Sequence, residues 1–320
     1  MDYLGINKLA QSGEIAWSVA LAVVGIMVIT VNSITLFTFR KSMHFRSRKH
    51  IMVINLAVVD LMYGTAGIPL TVVFLLKQTS VSFYIYQGLV TFTKMASLFT
   101  FGAIAVERMH AIVWPIRHQV VPNGVYRAAL VLIWVLAAFV TTFSLLQWSG
   151  YISLIFSETG PLIIVFVMST VLVCYMSIWI CVHRRKRRRP NFGAQVKKDK
   201  TLALTLLMVA GTFAATWCIP MIYLFISRTC RTCYQPSIAQ RGCIHLIFAA
   251  QSILNPVIYC FRLPLFKESL KENITCWRAN IRRRRVTSFT LQREIAKDTI
   301  VSVKSNTEEA KVLTYRNDSI

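Results

Sequence analysis

Charge is what this sequence has least of. Only 15% of its 320 residues are Asp, Glu, Lys or Arg, whereas 55% are apolar. An ordinary soluble domain carries roughly 25% charged residues, because a fold in water needs a polar skin. A mean hydropathy of +0.54 points the same way. The same composition excludes disorder over most of the chain. Acidic groups are scarcer still: 13 against 36 basic ones, a formal charge of +23. An excess of that size suits nucleic acid or an anionic membrane surface, and the location of the charges decides between them. Catalytic groupings are missing too. The six His are scattered, and no Ser/His/Asp set, metal-binding pair or phosphate loop stands out, which argues against an enzyme. No internal repeat is visible, which argues against transporters built from duplicated halves.

What the chain does have is seven apolar runs: 16–39, 51–76, 83–106, 128–148, 160–182, 202–227 and 243–261. Each is 19 to 26 residues long, and a helix needs about 20 to cross a bilayer. The only formal charges inside them are Asp60 and Lys94. A soluble bundle would show polar stripes at helical period. In lipid each segment must pair its own backbone amides, so the runs are expected to be helices.

The basic residues then orient the chain. Thirty of the 36 fall in 40–50, 107–127, 183–201 and 262–320, and five in the alternate segments. By the positive-inside rule the amino terminus is outside and the carboxyl terminus in the cytosol. The net charge is therefore mostly a topology signal. The run His183–Arg189 resembles a nucleic-acid patch, but its place beside a membrane span argues for topology, and no nucleic-acid partner is expected. The first run is too long for a cleavable signal core and reads as a signal anchor. The two Asn-X-Ser/Thr sequences, at Asn273 and Asn317, lie on the cytosolic side.

Polar residues at membrane depth are costly and are functional candidates by default. Asp60 lies in the second run, Asn32 in the first, Ser97 in the third, Ser252 and Asn255 in the seventh. Two readings stand for Asp60. Its carboxylate, with Ser97 and Ser252, can surround a small cation, since hard cations prefer oxygen ligands; or a neutral Asp60 can join an interhelical hydrogen-bond network. Glu107-Arg108-Met109 closes the third run, either as a specific ion pair or as a snorkelling arginine beside an acid. Pro256 in Asn255-Pro256-Val257-Ile258-Tyr259, like Pro220 and Pro69, favours a kink, which is either a hinge or a tolerated irregularity.

These motifs, in this order, resemble the rhodopsin-like (class A) G protein-coupled receptors. Asn32, the stretch Asn55–Leu61, Glu107-Arg108-Met109, Pro115, Trp134, Tyr175 and Asn255–Tyr259 each stand where that family has a motif residue. Met109 replaces the usual Tyr. The resemblance runs from residue 16 to about 276. It implies an all-α, seven-transmembrane bundle over 16–262, after a short extracellular segment 1–15. An amphipathic surface helix over 263–276, anchored by Phe266, and a disordered cytoplasmic tail over 277–320 would follow. The implied function is passing an extracellular signal to a heterotrimeric G protein at the plasma membrane, without covalent chemistry. Glu107, Arg108, Tyr175, Asn255, Pro256 and Tyr259 would form the coupling switch. Asp60, as metal ligand, with Ser97, Ser252 and Asn255 would form an allosteric sodium pocket. No other cofactor is implied. The physical basis would be a bundle with two packings a few kcal/mol apart, biased by a ligand.

The chain departs from that pattern in places. The usual disulfide from helix 3 has no partners here: its helix 3 position falls near Phe83, and 149–159 contains no Cys. Val167 stands near the usual helix 5 proline. Trp217 stands three residues before Pro220, where the family has two. Val90 replaces the Asp that amine receptors use, and Ala249 stands near the position of the retinal Lys of opsins, so neither ligand class is expected.

Lys94, with Val90, Trp217 and Pro220, marks the candidate ligand pocket. Lys94 lies fourteen residues before Arg108, about 21 Å along a helix. There it can hold a carboxylate or phosphate; alternatively it snorkels, or pairs with Glu158 or Glu14. Cys230 and Cys233, near Cys243, suggest a local disulfide on the oxidising side. Zinc is the poorer reading, with only His245 as a remote fourth ligand. Cys174, Cys181, Cys218 and Cys260 read as packing residues. Cys276 is either a palmitoylation site or a plain thiol. Arg282–Arg285 can bind anionic lipid. Beside them, Thr287, Ser288 and Thr290 are candidate sites for receptor kinases, and such tails recruit arrestin in this family; a simply solvated tail is the alternative. The rival functions are a transporter or channel using Asp60 and Lys94, and an intrabilayer enzyme.

Overall fold

The structure is a computed structural model that describes residues 3–41, 50–77, 79–151, 159–188, 211–223, 225–226, 238–262, 266–273, 275 and 277. The chain forms two compact units, Met1–Lys267 and Glu268–Ile320. The helical bundle and every contact below belong to the first. Helix α1 runs Tyr3–Lys41. Helix α2 comprises Ile51–Met62, a π-helical turn Tyr63–Gly67, and Ile68–Lys77. Helix α3 is Ser80–Val113, and a short turn of helix, Pro115–Gln119, follows it. Helices α4 and α5 are Asn123–Trp148 and Thr159–Arg188. Helix α6 covers 211–223 of the described residues, and α7 is Ile238–Arg262. There is no strand among the described residues.

Five of these helices carry apolar stretches of 26 to 34 residues, enough to cross a bilayer. Their outward faces bear Ile26, Phe37, Leu132, Phe139, Phe166 and Leu172, all exposed. Large apolar side chains in that density on a surface require lipid around them. Inside, α3 is the hub: it packs on α2, α4 and α5, while α1 packs on α2 and α7. Buried Leu21, Val28, Tyr63, Ile68, Tyr86, Val90 and Ala249 form one cluster across α1, α2, α3 and α7.

The helices outrun the apolar runs. α1 begins thirteen residues before Ala16, and α5 continues to Arg188. Hydropathy marks where lipid begins, and backbone pairing continues beyond it. α3 starts at Ser80 because Thr79 and Ser82 exchange side-chain bonds to each other's backbone amides, at 3.1 and 3.0 Å, a capping box that satisfies donors at the helix start. Residues 266–273 are helical, and Phe266 is buried with its ring 5.2 Å from that of Phe39 on α1.

Two glycines set close approaches. A Cβ on Gly64 would meet Val28 and Ile29 at 3.0 Å, and one on Gly242 would meet the Trp17 ring at 2.5 Å. Gly64 thus lets the π-turn rest on α1, and Gly242 lets α7 do the same. The π-turn lies just before Pro69, whose ring cannot fit a regular helical turn. A single π turn absorbs such a mismatch. It also holds Tyr63 fully inside the bundle.

Candidate functional site

Polar residues of the first, second and seventh apolar runs meet in one place. Asp60 is buried and accepts from Ser252 Oγ at 2.7 Å and from Asn255 Nδ2 at 2.7 Å, one on each carboxylate oxygen. Asn32 on α1 donates through Nδ2 to the carbonyl of Ser252 at 3.2 Å. Ser97 is buried one turn from Lys94 on α3 but makes no hydrogen bond to Asp60 among the described residues. Asn55 donates to Thr100 Oγ1 at 2.9 Å and accepts from Trp134 Nε1 at 3.0 Å. That pair of bonds ties α2, α3 and α4 together.

Lys94 does not snorkel, and among the described residues it forms no ion pair with Glu14; Glu158 lies outside them. Its side chain is 6% exposed and turned inward. Nζ sits 3.5 Å from the centroid of the Tyr63 ring, 4.7 Å from that of Phe248, and 3.3 Å from the Phe248 carbonyl, to which it donates. Two aromatic faces and a carbonyl replace much of the water that an ammonium loses on burial.

Above this network opens a cavity of about 300 Å³. Lys94, Val90, Trp217 and Pro220, the four residues marked as pocket candidates in the sequence, all line it. Trp217 is buried, with its ring edge-on to Phe248 at 5.4 Å. Its register relative to Pro220 therefore still delivers an aromatic to the cavity floor. Sequence reasoning passed over Tyr86 and gave His245 only a remote metal role. Both line the cavity, and Tyr86 Oη lies 2.8 Å from His245 Nε2, joining α3 to α7. The signal was present: a histidine inside an apolar run is as conspicuous as an aspartate. His245 Nδ1 and Trp217 Nε1 are buried and have no partner among the described residues.

At the opposite end of α3, Arg108 Nε meets Glu107 Oε2 at 2.8 Å. The other carboxylate oxygen lies 3.6 Å from His118 Nε2, and His118 Nδ1 lies 3.2 Å from His110 Nδ1. The short helix Pro115–Gln119 brings His118 there. Arg185 of α5 donates to the carbonyl of Ile112 at 2.9 Å, a cation placed on a helix C-terminus. Tyr175 is half-buried on α5. Pro256 lies inside α7, and the backbone of Tyr259 is helical.

The side chains of Tyr259 and Cys260 lie outside the described residues, as do Cys230, Cys233, Cys276, Thr287, Ser288 and Thr290. Cys174 is buried, but Cys218 is exposed and Cys243 is a free, exposed thiol. Cys218 is thus not a packing residue: its position in α6 faces away from the bundle. Among the described residues no group of His, Cys, Asp or Glu is disposed to hold a metal ion.

A multi-pass helical bundle with a cavity between its helices, and a buried polar network beneath, is the architecture of a membrane receptor. The sequence comparisons agree. The 7 transmembrane receptor (rhodopsin family) profile matches residues 31–259. The chain is 23% identical to human Sphingosine 1-phosphate receptor 2 over 272 residues, 79% of this chain and 75% of that protein. It is 24% identical to the dog Substance-K receptor over 304 residues, 79% of that protein. The chain belongs to the rhodopsin family of seven-transmembrane receptors. It is a G protein-coupled receptor with a seven-helix bundle, a signalling protein and not an enzyme, and the family couples to heterotrimeric G proteins.

Proposed function

We propose that this receptor responds to an anionic ligand seated in the cavity bounded by Lys94, Trp217, Pro220 and His245. The observation that carries the reading is the polarity of the lining. Lys94 offers an ammonium and Trp217 an unpartnered N–H, which can only donate, while His245 offers a free ring nitrogen. A ligand supplying acceptors and negative charge satisfies them; an amine does not, and Val90 leaves no carboxylate for one. The rest of the lining is largely apolar (Val90, Met95, Ile164 and Met221 among others), which suits an amphiphile. A relative named for sphingosine 1-phosphate, a lipid with a phosphate head, supports that class.

The test is nucleotide exchange on added G protein by receptor-containing membranes. They would be challenged with sphingosine 1-phosphate, other lysophospholipids, carboxylate lipids and neutral counterparts. An anionic agonist should act on the parent and fail on Lys94→Met at equal surface expression. Full potency on that variant retires Lys94 as the anchor. The amino terminus is outside and the tail cytosolic in this reading, at the plasma membrane; what supports it is the thirty-to-five division of basic residues. Kinases acting at Thr287, Ser288 and Thr290, arrestin, lipid at Arg282–Arg285, palmitate at Cys276 and a Cys230–Cys233 bridge complete it. Glu107, Arg108, Tyr175, Asn255, Pro256 and Tyr259 serve as its coupling switch.

A further inference from the structure

The family resemblance implies a sodium ion at Asp60, and the residues around Asp60 do not fit one well. A buried sodium ion needs several oxygen lone pairs turned toward it and an uncompensated negative charge. Here Ser252 and Asn255 turn donors, not lone pairs, onto both Asp60 oxygens. Ser97 contributes no bond to the carboxylate. Above all, a fixed cation is already present. Lys94 Nζ donates to the Phe248 carbonyl at 3.3 Å, and Ser252 Oγ, which gives its proton to Asp60 at 2.7 Å, lies 3.4 Å from that same carbonyl. The other face of the ammonium rests on Tyr63, one helical turn from Asp60 on α2. The ammonium and the carboxylate thus lie on either side of Ser252, and opposite charges in a low-dielectric interior attract each other.

We propose that Lys94 is the built-in counter-cation of Asp60, so that this receptor holds within its own chain the positive charge that a sodium ion would supply. The charge of the buried site is then balanced at plus one and minus one. Adding a sodium ion would leave a net positive charge in a low-dielectric interior, which is strongly disfavoured. The arrangement also gives Lys94 two roles by position. It lines the cavity and it closes the inner network, so the same ammonium is within reach of both. The inference does not depend on what the ligand is, and its test uses none.

The experiment is the thermal unfolding midpoint of the purified full-length receptor in about 150 mM sodium chloride and in the same concentration of choline chloride. An ion that binds the folded state raises the midpoint by mass action. The parent is expected to shift by less than about 1 °C between the two salts, and Asp60→Asn likewise. Lys94→Met, with the counter-cation removed and Asp60 intact, is expected to gain a sodium-specific rise of at least about 3 °C, and Lys94→Arg to remain indifferent. A parent receptor stabilised by sodium, with the effect lost in Asp60→Asn, overturns the proposal. So does a folded Lys94→Met that stays indifferent. If Lys94→Met does not fold, Lys94→Gln takes its place, and the comparison of parent with Asp60→Asn still decides. Failure of the anionic-ligand reading would leave these salt effects unchanged.

Discussion

Asn32 donates its side-chain amide to the carbonyl of Ser252 at 3.2 Å, the one carbonyl in α7 that Pro256 cannot serve. In a regular helix the N–H of residue 256 would bond residue 252. Proline has no N–H and crowds that carbonyl. A carbonyl freed at membrane depth needs another partner, and α1 supplies it. Asn32→Ala should therefore lower stability by on the order of 1 kcal/mol, in line with interhelical hydrogen bonds in membranes. Pro256→Ala restores the helical bond. The double variant should lose less than the two single variants together, with a coupling of at least about 0.5 kcal/mol. Strict additivity in thermal or denaturant unfolding of purified receptor would dissociate the two residues.

Glu107 divides its carboxylate between Arg108 on one oxygen and His118 on the other, at 2.8 and 3.6 Å. Both neighbours restrain the acid, and the acid restrains Arg108. The group is partly exposed, so its worth is modest, roughly 0.5–1 kcal/mol. That corresponds to a change of about two- to fivefold in the ratio of active to resting receptor. Glu107→Gln should raise basal nucleotide exchange by that factor, and His118→Ala by less. Basal activity at or below that of the parent, at equal expression, removes Glu107 from the resting restraint.

Asn55 is the joint of three helices, bonded to Thr100 and to Trp134. Its amide uses donor and acceptor at once, so neither neighbour can be lost without leaving a buried polar atom unpaired. Asn55→Ala should cost about 1–3 kcal/mol. Trp134→Phe, which keeps the ring contact with Phe92 at 5.6 Å and loses only the N–H, should cost less than half as much. Equal losses from the two would mean that packing, not the bond, holds the joint.

The sequence made some of this legible and hid the rest for physical reasons. Hydropathy finds a span because the lipid penalty applies residue by residue. Asp60, Ser252 and Asn255 could be grouped because each is costly alone and needs company. Rotation about a helix axis is different. Lys94 at its depth could face lipid, headgroups or the interior, and only the packing of α2 and α7 turned it toward Tyr63 and Phe248. The π-turn left a trace, Gly64 and Gly67 shortly before Pro69, but an extra residue in a turn produces no change in hydropathy. The service Asn32 renders to Ser252 joins residues 220 positions apart, a relationship that no spacing rule contains.

The outer end of α3 lacks the usual disulfide, and aromatic rings occupy the place. Phe83, near the position where the family has Cys, lies 6.0 Å from Trp148 on α4 and 5.6 Å from Phe74 on α2, in edge-on and tilted contact respectively. Phe74 stacks on Tyr86 at 4.8 Å, and Tyr84 Oη donates to the carbonyl of Trp148 at 3.4 Å. Edge-on aromatic pairs are worth about 0.5–1.5 kcal/mol beyond the area they bury. Two such pairs at one residue approach the lower end of what a disulfide provides, about 2–4 kcal/mol. The clasp differs from a covalent bridge in one testable respect: it is made of contacts that can be removed singly. Phe83→Leu should lower the unfolding midpoint measurably, and Trp148→Leu similarly. The pair together should lose less than the sum, because they share one contact. Since Tyr86 is both in this stack and bonded to His245, Phe74→Leu should also weaken ligand binding through the cavity wall, whereas Phe83→Leu should chiefly affect stability. Equal effects of the two on both readouts would mean the rings fill space without holding the cavity in shape.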